Sequence, residues 1–218
     1  TRSLDVFYLI PILPFYPIEN YIGDTDNIQM GIDILFNINE FQKLYVSFFM
    51  DEFTPEWIFK SKNHNWFGWQ FGYKAKNIIL KNSELQMEYN WTDQRIYTHK
   101  YDINDFYSHR QPLGFWAGPH AQEFLLTYLT YFGEKILQLH FSKAKRGLNT
   151  RKMVENNYKD LQLKRYEEGY EERTLAAICL QKPSNIKDLF YSIDLNYITF
   201  NNAGFEIIND QPFNGIDI

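Results

Sequence analysis

Asp26–Asp51, DNIQMGIDILFNINEFQKLYVSFFMD, is the stretch whose reading decides the fold. Ile28, Met30, Ile32, Ile34, Phe36 and Ile38 are apolar and two apart, with Gln29, Gly31, Asp33, Leu35 and Asn37 between them. After an Asn39-Glu40 turn the alternation resumes, with Leu44, Val46, Phe48 and Met50 set against Tyr45, Ser47, Phe49 and Asp51. Successive side chains of a strand point to opposite faces, so this is a hairpin with one apolar and one largely polar face. A helix would need apolar residues three and four apart, a spacing the stretch does not keep. Strands of soluble hairpins usually run to about five or six residues. Both strands here approach the roughly 9–11 tilted residues that cross a membrane.

Working outward, the chain predicts about nine or ten strands. A first strand, Ser3–Ile10, precedes a Pro-rich loop, and two more follow the Glu52–His64 connection. In the first of these Phe67, Trp69, Phe71 and Tyr73 alternate with Gly68, Gln70, Gly72 and Lys74. Leu85, Met87, Tyr89 and Trp91 then alternate with Glu84, Gln86, Glu88, Asn90 and Thr92. Strands resume around Phe124–Phe132 and Leu137–Phe141, then at Arg173–Gln181 and Asp188–Tyr197, with one more expected in the Asn201–Ile218 tail. The charged Lys143–Glu172 segment predicts a helix capped by Asn149 or Thr150. Connections alternate long and short along the chain. Outer-membrane barrels sort their loops this way, with short turns on one rim and long loops on the other. A soluble sandwich has no reason to do so.

Composition supports the same class. The 218 residues suit one domain, spanning 1–218 as a barrel or the C-terminal portion of one. Aromatics make up 18% of the chain, as strands and aromatic girdles at two membrane interfaces would require. No apolar run is long enough for a spanning helix; the longest, Val6–Leu13, holds Pro11. A net charge of −5 argues against a nucleic-acid partner. The single cysteine, Cys179, excludes an internal disulfide and a cysteine-based zinc site. The five histidines show no metal spacing, and no nucleophile elbow is present, so neither a metal, a cofactor nor catalysis is expected. Gly23–Asn27 resembles a calcium loop only faintly, lacking the distal Glu, and reads better as a turn. With no initiator Met or leader at its start, the sequence reads as a processed protein or a piece of a longer one.

Several stretches, in this order, resemble the capsule assembly protein Wzi family of outer-membrane barrels. They are IENYIGDTDNIQMGIDILFNI (from Ile18), YVSFFMDEF (from Tyr45) and WFGWQFGYK (from Trp66), then YNWTDQRIYTHKY (from Tyr89), SHRQPLGFWAGPHAQEFLLTYLTYF (from Ser108) and HFSKAKRG (from His140). The similarity is scattered over Ile18–Arg146 and is weaker beyond. It implies a bacterial outer-membrane protein that holds or assembles surface polysaccharide by binding. Two features depart from the family. Its barrels have about eighteen strands, roughly twice what this chain supplies, and the chain ends Ile216-Asp217-Ile218 rather than on an aromatic.

The expected fold is therefore an all-β, antiparallel, up-and-down transmembrane barrel, with this chain forming part of a larger one. Its expected partners are outer-membrane lipid and lipopolysaccharide, surface polysaccharide, and another chain or further sequence covering the sheet edges. A diffusion porin, a barrel subunit of a larger complex and a soluble secreted β-sandwich stand as alternatives. The candidate binding segment is Tyr101–Glu123, rich in aromatics and polar groups. From it Tyr107, His109, Arg110, Trp116 and His120 are the candidate glycan contacts, Tyr107 and Trp116 as stacking faces and Arg110 as a planar fork for an acidic sugar. The cations from Lys143 to Lys164 are candidates for an anionic glycan or lipid phosphate, or a solvated helix face.

Overall fold

In a computed structural model the residues described are 29–52, 65–98, 105–109, 111–150, 165–184, 186, 189–205 and 213–217. Strand formation follows the period-two alternation. The long strands are β1 (Met30–Asn39), β2 (Gln42–Glu52), β3 (Trp66–Lys76) and β4 (Ser83–Thr92), followed after a long connection by β7 (Ala121–Phe132), β8 (Lys135–Gly147), β9 (Tyr170–Pro183) and β10 (Phe190–Asn201). A short strand, β11 (Phe213–Asp217), forms in the tail. The connection after β4 carries its own small ladder, β5 (Tyr107–Ser108) against β6 (Gln111–Pro112).

The long strands and β11 make one nine-stranded sheet in the order β1-β2-β3-β4-β7-β8-β9-β10-β11. Every neighbouring pair is antiparallel, so the sheet is an up-and-down meander. Among the described residues β1 and β11 are its two edges and do not pair with each other, so the sheet is open. The expected Ser3–Ile10 strand lies outside the described residues. Short turns join β1 to β2, β3 to β4 and β7 to β8, the last through Gly133-Glu134 with Gly133 at φ +62°. That left-handed backbone is one glycine adopts without strain.

Register places one face's apolar residues side by side across eight strands. One row runs Ile34, Val46, Phe71, Tyr89, Phe124; another runs Leu126, Phe141, Ala176, Tyr197. This face is open rather than packed: Phe36 is 63% exposed and Ile193 60%, and Ile32, Ile34, Phe71, Ile178, Leu195 and Tyr197 are exposed with them. Among the described residues the only extensive contacts are between neighbouring strands, so no second layer covers the apolar face. Soluble monomers rarely expose contiguous apolar patches beyond a few hundred Å².

The opposite face is largely polar and also in register. Asp33, Ser47, Gln70, Asn90 and Glu123 form one row straight across β1, β2, β3, β4 and β7. Leu35, Tyr45, Gly72, Glu88 and Leu125 form the next, and Asn37, Lys43, Lys74, Gln86 and Thr127 the third. Buried side chains collect at the long-loop end, where Ile96, Tyr97, Ala117 and Ala121 are at most 3% exposed, and a smaller set with Ala75, Ser83 and Thr130 is buried at the short-turn end.

The helix expected over Lys143–Glu172 does not form where the chain is described. Lys143–Gly147 continues β8 and Tyr170 opens β9; between them Arg165–Glu168 is a turn, and residues 151–164 lie outside the described residues. The reason lies in the neighbours. Lys143, Ala144, Lys145 and Arg146 each oppose a residue of both β7 and β9, with Lys143 and Lys145 on the face of Phe124 and Arg146 on the other. Lys143 pairs with Glu172 at 3.0 Å, and Arg146 pairs with Glu171 at 2.6 Å. Charge density that reads as a solvated helix is the polar rim of two long strands. Among the described residues no helix is long and apolar enough to cross a membrane, which leaves crossing by strands unaddressed.

Candidate functional site

The described residues of the connection between β4 and β7, 93–98, 105–109 and 111–120, pack at the long-loop end and are tied down by several contacts. Tyr97 N–H donates to Asp51 Oδ2 at 2.5 Å, while Asp51 Oδ1 accepts from Gln29 Nε2 at 3.0 Å. The Tyr97 ring packs against Phe49 and Phe106, whose centroids are 5.6 and 5.7 Å away. Its hydroxyl accepts from Phe115 N–H at 3.0 Å. Gly114 passes so close to this ring that a Cβ there would overlap it. Burial is the main cause that raises the Tyr97 phenol pKa; Asp51 adds to it and the Phe115 N–H opposes it. Thr92 Oγ1 donates to Gly118 O at 2.8 Å and accepts from Ala121 N–H at 3.0 Å. Trp116 Nε1–H donates to Glu123 Oε2 at 2.9 Å.

This folded loop walls a cleft of about 530 Å³ at the rim. Trp116, Tyr107, Phe205 and Arg146 line it, with Thr98, Asp105, Gln111 and Asn149 adding polar groups. Trp116 is 51% exposed, so much of its ring is open to solvent, although its N–H is held by Glu123. The Arg173 guanidinium lies 5.9 Å from the Trp116 ring and that of Arg146 lies 5.3 Å from Phe205. Burial, then the neighbouring Asp105 charge, pushes the Tyr107 phenol up to about 12, so it stays a neutral hydroxyl. Flat aromatic faces beside carboxylate, amide, hydroxyl and guanidinium groups suit a polyhydroxylated ligand, whose C–H surfaces stack and whose hydroxyls bridge polar groups.

The sequence candidates separate. Tyr107 and Trp116 meet in the cleft. His109, at φ +49°, sits exposed on the β5–β6 turn, outside the lining. Arg110 lies outside the described residues. His120 is only 4% exposed and is spent on structure: its ring stacks on Tyr166 at 4.9 Å, and its Nε2 accepts from Tyr166 N–H at 3.1 Å. Asn149 and Phe205 are not among the glycan contacts expected from the sequence. Arg146 was visible only as part of a basic run, and Phe205 comes from a tail turn that register alone brings back to the rim.

A second cluster occupies the apolar-face side of the same rim. Arg165 donates to Thr92 O at 2.8 Å and Ala121 O at 3.2 Å, and its guanidinium lies 4.7 Å from the Trp91 ring. Lys145 Nζ sits 3.6 Å from the Tyr170 ring centroid and 4.6 Å from that of Tyr166. No group of three or more metal-ligating side chains occurs among the described residues. Compared with protein-family models, curated proteins and solved structures, the chain finds no match.

Proposed function

We propose that this chain is a membrane-embedded sheet of a bacterial outer-membrane β-barrel, and that it binds surface or capsular polysaccharide at its long-loop rim without catalysis. The observation that carries the reading is the pairing of two features on one sheet. An exposed apolar band extends over eight strands, and an aromatic cleft lies at the loop end of the opposite face. Lipid is the solvent that makes such a band favourable, because its tails contact apolar side chains that water would not. The Trp91, Tyr166 and Tyr170 rings with Lys145 and Arg165 suit the headgroup level, where aromatic and cationic side chains collect. The resemblance to the Wzi family points the same way, toward capsule retention by binding.

A diffusion porin is the second reading, favoured by the cavity of about 500 Å³ on the polar face near the short turns. The loop anchored over that face at the rim favours a plugged mouth. Retention of capsule by cells carrying Trp116→Ala or Tyr107→Ala, at unchanged levels of assembled protein, tests the binding reading. Loss of an open stacking ring should release polysaccharide about tenfold more readily. Parent-like retention by both variants, together with steady conductance across a planar bilayer, would move the assignment to a pore.

A further inference from the structure

Below the rim cleft, the polar face carries a feature that the mouth does not need. The Tyr45 ring lies across the sheet over Gly72, the residue directly opposite it on β3, and a Cβ at Gly72 would overlap the ring. Its hydroxyl donates to Glu88, which also accepts from Gln86 Nε2 at 2.5 Å and Gln70 Nε2 at 3.3 Å. Ser47 Oγ in turn donates to Gln70 Oε1 at 3.4 Å. The ring is thus held by backbone on one side and by a hydrogen-bonded network at its tip. The ring shields the Gly72 backbone on its inner side, while no described element packs over its outer side, which leaves a fixed aromatic face partly open.

The surroundings suit a chain-like ligand. A cavity of about 370 Å³ opens toward the loop end, beside Asp33, Ser47, Gln70 and Asn90, and is roofed by Tyr97 and Phe115. The cavity of about 500 Å³ lies toward the turns, beside Lys43, Lys74 and Gln86. Tyr45 stands between them, one row, or about 7 Å, from each set. Lys43 and Lys74 face each other in register, and Lys74 Nζ lies 5.9 Å from the Tyr45 ring centroid.

We propose that this face is a second glycan subsite, a track running from the rim cleft along the polar face, with Tyr45 as its stacking platform. The polar rows on either side of Tyr45, Asp33-Ser47-Gln70-Asn90 and Asn37-Lys43-Lys74-Gln86, each about 7 Å away along the strands, give hydroxyl-bridging rungs. The ammonium groups of Lys74 and Lys43 at its far end select glycans bearing carboxylates, because a sugar stacked on Tyr45 brings its acid group to Lys74. This deepens the polysaccharide reading and rests on it.

The test uses the full chain assembled in detergent and two fluorescent probes of equal length, an oligogalacturonate and a neutral maltodextrin. Tyr45→Ala and Gly72→Ala should each weaken oligogalacturonate binding about tenfold, and Tyr45→Phe, which keeps the ring, should bind like the parent. Lys74→Gln should weaken the acidic probe alone, bringing its affinity toward that of the maltodextrin. Should Tyr45→Ala fail to assemble, Gly72→Ala and Lys74→Gln still decide the matter, since both retain the Tyr45 side chain. If Trp116→Ala loses the acidic probe while Tyr45→Ala, Gly72→Ala and Lys74→Gln bind as the parent does, the track is wrong and the rim site stands. A parent that binds neither probe, or binds both equally, overturns the acidic track, while capsule retention continues to test the rim reading by itself.

Discussion

His120 shows how one side chain can look like a ligand and act as a rivet. Its backbone sits at φ +57°, a left-handed conformation that His and Asn tolerate better than most side chains. Tyr166 N–H donates to Nε2, so the proton is on Nδ1, which donates to Leu148 O at 3.3 Å. Gly147 lies beneath the ring, where any Cβ would overlap it. Burial first, then the positive charge of Arg165, lowers the imidazole pKa from 6.5 to about 4. The unfolded chain therefore takes up a proton more readily than the folded one as pH falls. Holding this ring neutral contributes on the order of 3 kcal/mol, fully present above pH 6.5 and lost as pH falls toward 4. Urea unfolding of detergent-assembled protein should accordingly lose stability over that range. His120→Asn, which keeps the backbone conformation but cannot titrate, should flatten that part of the curve and lower stability at neutral pH. An unchanged slope in the variant would mean that other groups carry the pH dependence.

At the scale of the strand, β4 offers the sharpest contrast. Leu85, Met87, Tyr89 and Trp91 lie in register with the apolar face, whereas Gln86 and Glu88 join the hydrogen-bonded network around Tyr45. An arginine on a lipid-facing strand position at mid-bilayer costs about 2–4 kcal/mol. Met87→Arg should therefore sharply reduce the heat-modifiable, membrane-inserted form on gels. Gln86→Arg should not, because an arginine there can still donate to Glu88. Equal yields of inserted protein from the two variants would remove the membrane reading. The faces of this strand were legible because its side chains alternate without exception, as were β1, β2 and β3. The end of β8 was not, because Lys143, Lys145 and Arg146 are satisfied by partners distant in sequence: Glu172, the Tyr166 and Tyr170 rings, and Glu171. The cleft was half legible for the same reason. Tyr107 and Trp116 stand close together in one aromatic loop, but Arg146 and Phe205 reach them only through the pairing of β7, β8, β9 and β10.

At the scale of the whole molecule, the proposed membrane location places its main physical demand at the edges of the sheet. β1 has β2 on one side, β11 has β10 on one side, and among the described residues nothing pairs with their other sides. Each backbone N–H or C=O left without a partner in hydrocarbon costs several kcal/mol, so an edge of ten residues such as β1 cannot face lipid bare. The nine strands could meet this demand by curling until β1 and β11 pair, or by accepting strands from outside the described residues, from further sequence or from another chain. The open order of the sheet, with exposed side chains along the whole of β1, favours the second route. Cysteine pairs separate the two in assembled protein lacking Cys179. Ile34→Cys with Val46→Cys, opposite one another on β1 and β2, should form a disulfide readily under mild oxidation. Ile34→Cys with Ile216→Cys, on β1 and β11, should not, and the assembled particle should exceed the mass of nine closed strands from one 26.2 kDa chain. Rapid cross-linking of the second pair within a single copy would show that the sheet closes on itself, and would make this chain a complete small barrel.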